Sequence, residues 1–198
     1  IQKRKVDSTL DFNWLYLYAG NEAVNAGKLD EAVASYDRLQ TGNIFNLLRS
    51  KEFGGAVRNQ SFRLIGNAVM CYARSGQLNK AVQIIRMFKN PVNRSSLYAY
   101  AAKNLLLRKI QEPVIQELID SSVAEMNRIE NTTSAQPNRV LLAHALVLQA
   151  PAKNTEEAYR LIKNIPIKIE AIQNICASFA FYGNMHEARS HIPQFISS

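Results

Sequence analysis

The sequence predicts an all-α fold, a right-handed α-solenoid of about five helix hairpins with irregular spacing. Three observations carry this. A short motif recurs as Ala26-Gly27-Lys28-Leu29-Asp30-Glu31-Ala32, Ser75-Gly76-Gln77-Leu78-Asn79-Lys80-Ala81 and Tyr182-Gly183-Asn184-Met185-His186-Glu187-Ala188. In each copy the glycine ends one helix in a tight turn, and the alanine lets the next helix pack closely on the first. Apolar residues recur with helical periodicity, and no convincing strand alternation appears. Finally, 47% hydrophobic residues supply an ample core, while 20% charged residues are too few for an unfolded chain.

The elements follow in order. Residues 1–10 read as a basic tail, through Lys3, Arg4 and Lys5, ahead of one helical-repeat domain over 11–198. A first hairpin near 12–40 joins a helix at 11–26, capped by Thr9 or Asp11, to one at 28–39 that Thr41-Gly42-Asn43 stops. A short helical piece follows at 44–50, and Phe53-Gly54-Gly55 breaks it. A second hairpin near 58–89 joins 58–74 to 77–89, ended by Asn90-Pro91. In a third, near 95–130, Ser95 caps a helix to about 108, and Pro113 opens a long helix to about 130. The run Asn131-Thr132-Thr133-Ser134-Ala135-Gln136-Pro137 reads as a loop. A fourth hairpin near 138–164 joins 138–149 to 155–164. A fifth near 167–196 joins 167–181 to 185–195. Pro151 and Pro166 mark turns. First helices start at irregular intervals, which predicts a bent stack with an interrupted groove.

The net charge of +8 is concentrated. Residues 49–109 hold twelve Lys and Arg against one acid, Glu52, whereas 1–48 and 110–198 are each slightly acidic. A one-signed block is the footprint of an anionic partner: an acidic protein segment, nucleic acid or anionic lipid. Arg63 and Arg74 are eleven residues apart, about three turns, and so share a helix face. With Lys103 they are expected to contribute to one positive surface.

The hairpins resemble tetratricopeptide repeats. The first supplies that family's small and aromatic positions as Gly20, Gly27, Ala32 and Tyr36. The second supplies Tyr72, Gly76 and Ala81, with Ile85 in the aromatic place. The last supplies Phe179, Gly183 and Ala188, with Ile192; the fourth keeps Ala158, and the third matches poorly. The resemblance implies a groove lined by the first helices, placing Asn21, Arg63, Asn67, Met70 and Arg74 along it. Asn21 and Asn67 match two asparagines with which chaperone-binding members hold a peptide's terminal carboxylate. Leu17 stands where those members have Lys, and Leu97 and Ala101 where a third repeat would supply Lys and Arg. The run Asn67-Ala68-Val69-Met70-Cys71-Tyr72-Ala73-Arg74-Ser75-Gly76 also resembles a pentatricopeptide repeat, a family that reads single-stranded RNA. Such reading needs contiguous repeats, and this is a single copy.

Other chemistry is poorly represented. The longest apolar run, 140–148, is interrupted by His144 and falls far short of the roughly 20 residues that span a bilayer, so no membrane insertion is expected. Cys71 and Cys176 read as reduced, buried thiols, which favours an intracellular, reducing compartment, the cytoplasm or an organelle. His186 and His191 are five residues apart, off the four-residue spacing that places two zinc ligands on one helical face. The sequons at Asn59, Asn93 and Asn131 carry no meaning in such a chain. No catalytic residue, metal site, cofactor or small-molecule ligand is expected. The sequence therefore points to a non-enzymatic scaffold or adaptor that binds another, acidic protein, with Asn21, Arg63, Asn67, Arg74 and Lys103 as partner-binding residues. The alternative is an RNA-binding helical-repeat protein, with Tyr98 and Tyr100 as the aromatic candidates of the basic block and packing between hairpins as their other role.

Overall fold

Helix is the only regular structure among the described residues of the computed structural model, which are 8–39, 55–110, 113–129, 135–165, 173, 176–178, 180, 186 and 189. The chain is all-α as expected. The helices are α1 (Ser8–Asn25), α2 (Leu29–Tyr36), α3 (Gly55–Arg74), α4 (Leu78–Arg86), α5 (Pro91–Leu107), α6 (Pro113–Met126), α7 (Gln136–Gln149) and α8 (Pro151–Ile162). The chain divides into two compact units, 1–84 and 85–198, with the boundary inside α4.

The turns explain the recurring motif. After α1, Gly27 takes φ +74°, its N–H donates to Val24 O at 3.0 Å, and Lys28 N–H donates to Ala23 O at 2.8 Å. This pair of bonds satisfies the helix's last carbonyls and needs one left-handed residue, which glycine adopts without a Cβ clash. Gly76 repeats it after α3, with φ +75° and bonds from Gly76 to Ala73 at 3.2 Å and Gln77 to Tyr72 at 2.8 Å. The same turn also follows α5, where the sequence shows no glycine. There Lys109 takes φ +57°, Lys109 N–H donates to Leu106 O at 2.8 Å and Ile110 N–H to Leu105 O at 3.1 Å.

These turns set a common register. Counting back three, four, seven and ten residues from the left-handed one gives buried positions in all three helices. They are Val24, Ala23, Gly20 and Leu17 in α1, then Ala73, Tyr72, Val69 and Gly66 in α3, then Leu106, Leu105, Ala102 and Ala99 in α5. That spacing is the apolar stripe of an amphipathic helix. Ala32, Ala81 and Ala158 are all fully buried. Gly183, Ala188 and the helical piece expected at 44–50 lie outside the described residues.

In the first unit, α1 packs on α2 and both pack on α3. Gly20 is the closest point: a Cβ there would stand 2.3 Å from Tyr36 Cε1. Tyr36, itself buried, meets Tyr72 at 6.3 Å between ring centres and a 50° tilt, a favourable aromatic arrangement. In the second unit, α5 packs on α6 and α7, α6 touches α7, and α8 packs on α7. Leu97, Ala99, Ala101, Ala102 and Leu105 of α5 are all fully buried, as suits a central helix with apolar residues around most of its circumference.

Several helix boundaries differ from expectation. Asn90, not Ser95, caps α5: its side chain accepts from Val92 N–H at 2.8 Å, and Pro91 takes the first helical position, where its missing N–H costs nothing. Ser95 is instead buried between helices, where its Oγ donates to Ser122 O at 3.1 Å and Ser122 Oγ returns a bond to Ser95 O at 2.9 Å. Pro151 opens α8 by the same first-turn logic and does not stand clear of it. α1 begins at Ser8, ahead of the expected cap, and α6 ends at Met126, short of residue 130.

Two substitutions test this packing. Replacing Lys109 by Gly removes a left-handed strain of about 1–2 kcal/mol at the cost of a looser unfolded chain. Lys109→Gly should therefore stabilise by up to about 1 kcal/mol in urea unfolding. Gly20→Ala should destabilise by about 2 kcal/mol, because the added methyl group overlaps the buried Tyr36 ring and forces it to shift.

Candidate functional site

The first helices of the first unit present a narrow polar strip. From Phe62 to Arg74, α3 buries every side chain except Phe62, Arg63, Asn67 and Arg74. Arg63, Asn67 and Arg74 fall within about 40° of one another around the helix, and the two arginines stand about 16 Å apart along it. Both arginines are exposed, and among the described residues neither makes an ion pair. Met70, expected on the same strip, is buried and lines nothing. Asn67 Nδ2 donates to Asn21 Oδ1 at 2.5 Å, so the two asparagines meet from α1 and α3. Three residues before Asn21, Tyr18 is 41% exposed, an aromatic that the sequence reading passed over because it lies outside the basic block.

Two acids of this unit are paired with lysines. Glu31 pairs with Lys28 at 2.9 Å, and Asp37, just after α2, pairs with Lys80 of α4 at 2.6 Å. Asp37 Oδ1 also accepts from the Tyr72 hydroxyl at 2.9 Å, and Lys80 Nζ stands 5.3 Å from the centre of the Tyr72 ring. The Lys80 bond holds the Asp37 carboxyl below the usual carboxylate range despite some burial, while burial, reinforced by Asp37, pushes the Tyr72 hydroxyl well above the usual phenol range. Tyr36, Asp37, Leu39, Tyr72, Lys80, Gln83 and Ile84 surround a cleft of about 260 Å³. The sequence reading missed this cluster because its partners lie 35 and 43 residues apart. The repeat alignment itself was the available signal, since Tyr36 follows Ala32, Lys80 precedes Ala81 and Tyr72 precedes Gly76.

Lys103 belongs to the second unit. It is part-buried on α5, close enough to His144 of α7 for its charge to act there. The turn at Lys109 places Tyr100 and Lys103 where Asn67 and Met70 stand before Gly76. It corrects the third register: Leu97 and Ala101 are fully buried and line no groove. Tyr98 is buried and Tyr100 part-buried. Nearby polar side chains are committed to structure. Arg94 grips both Glu125 oxygens at 2.9 and 2.8 Å while donating to Phe88 O and Lys89 O, each at 2.8 Å. Ser96 bonds to Asn138, whose Nδ2 donates to Val92 O at 3.0 Å.

Among the described residues no cluster of His, Cys, Asp and Glu is arranged to hold a metal, and no helix is long and apolar enough to cross a membrane. Cys71 is buried but Cys176 only partly so, and the two do not form a disulfide. His186 is exposed, and His191 lies outside the described residues.

His144 carries a pH dependence. Burial, aided by the Lys103 charge, lowers it from 6.5 to about 4. Above the upper value the imidazole is neutral in folded and unfolded chains alike. As pH falls below it, the unfolded chain takes up a proton that the folded one refuses. Stability should therefore drop between about pH 6.5 and 4, by on the order of 3 kcal/mol. His144→Gln should show a smaller loss over this window in urea unfolding. Comparison with known protein families, characterised proteins and solved structures returns no match to this chain.

Proposed function

We propose that this protein is a non-enzymatic helical-repeat scaffold that binds an acidic segment of another protein along the first helices of its hairpins. The observation that carries the reading is the α3 strip: two exposed arginines about 16 Å apart on one helix face, with no ion pair among the described residues. Unpaired guanidiniums held on a rigid helix favour carboxylates, which they can grip through two parallel bonds. Between them the Asn21–Asn67 pair offers amide groups suited to a peptide backbone.

The packing scheme supports a stack of hairpins. In both units a first helix packs on its own second helix and on the next first helix, while that second helix touches the next first helix. One turn geometry closes the first helix of three successive pairs. A right-handed solenoid with a groove along the first helices accounts for both patterns.

The test is fluorescence anisotropy with an Asp/Glu-rich peptide and its Asn/Gln counterpart. The acidic peptide should bind more tightly, and Arg63→Ala/Arg74→Ala should weaken it about 10- to 30-fold while leaving the melting temperature within a few degrees. Mixed single-stranded RNA is the opposing arm. Submicromolar RNA binding that the double variant abolishes, with log affinity falling by about 0.7 per phosphate contact against log salt, would replace this reading with RNA binding.

A further inference from the structure

We propose that the cleft formed by Tyr36, Asp37, Leu39, Tyr72 and Ile84 is a pocket for the lysine side chain of a partner, which Lys80 occupies in the free protein. The pocket has the parts that an alkylammonium needs. Asp37 supplies a carboxylate at the rim, and the Tyr72 ring supplies a π face. Leu39 and Ile84 supply an apolar lane for a methylene stem. Lys80 shows the fit: its ammonium lies 2.6 Å from Asp37 Oδ1 and 5.3 Å from the ring centre. The Tyr72 hydroxyl bonds to the same carboxylate oxygen, which fixes Asp37 in place without neutralising it.

Two features make the occupant exchangeable. The side chains of Lys80 and Asp37 are 46% and 42% exposed, so their bond is a surface pair that solvent already competes for. About 260 Å³ of cleft remains beside it, room for a second aliphatic side chain. A ligand lysine would replace one ammonium with another at constant charge, and Lys80 would swing to solvent. Tyr72 lies about 180° around α3 from Arg63, so this pocket is distinct from the arginine strip and stands whether or not an acidic segment binds there.

The experiment titrates Nα-acetyl-lysine amide and Nα-acetyl-norleucine amide, which share a stem but differ in the ammonium, while NMR follows the tyrosine ring resonances. In Lys80→Ala the lysine amide should shift these resonances saturably, and about tenfold more tightly than the norleucine amide. Wild type should bind the lysine amide about five- to tenfold more weakly than Lys80→Ala, because Lys80 competes. Adding Asp37→Asn to Lys80→Ala should abolish the preference for lysine. Equal binding of the two amides, equal affinity in wild type and Lys80→Ala, or no saturable shift in a folded variant would each overturn the proposal. Lys80→Gln gives the same reading if Lys80→Ala loses its fold, which unfolding curves would reveal.

Discussion

The structure depends on one backbone arrangement, the left-handed residue that ends a first helix and turns the chain into the next. Three first helices end this way, at Gly27, Gly76 and Lys109, each with the same two bonds back to the last turn. The turn fixes where the second helix begins. Four positions counted back from it are buried in all three helices, although their side chains range from glycine to tyrosine. Packing accommodates the differences locally: Tyr36 fills the space that Gly20 leaves empty.

Parts of this were legible in the sequence and parts were not. Gly27 and Gly76 were readable because a backbone constraint selects the residue directly, and Ala32 and Ala81 because a close helix approach selects for size. The third turn was hidden. A lysine tolerates the left-handed region at modest cost, and the buried Leu105 and Leu106 just before it help hold the chain in place. Losing that landmark shifted the register of α5, which is why Leu97 and Ala101 were placed on a surface although they belong to the core. Serine suits caps, so local sequence points to Ser95 as one; only tertiary packing makes it a bridge to Ser122.

The candidate surfaces divide along the same line. Helical period alone put Arg63 and Arg74 on one face, since three turns separate them. It also placed Asn21 and Asn67 on first helices, but the bond between them joins residues 46 positions apart and has no local trace. The Asp37, Tyr72 and Lys80 contacts are long-range as well, and only the repeat alignment brings their helices into relation. Charge counting found the basic block but not its partition: Lys80 and Arg94 are neutralised by carboxylates, whereas Arg63 and Arg74 make no ion pair among the described residues.

The burial pattern of α3 separates positions that serve folding from positions open to change. Nearly the whole circumference of its second half is committed to the core, and any change in size there meets packed neighbours. The outward-facing Arg63 and Arg74 make no ion pair among the described residues. A lineage could therefore rewrite Arg63 and Arg74 through a few substitutions that leave folding almost untouched, while α5, with its fully buried alanines, has little such freedom.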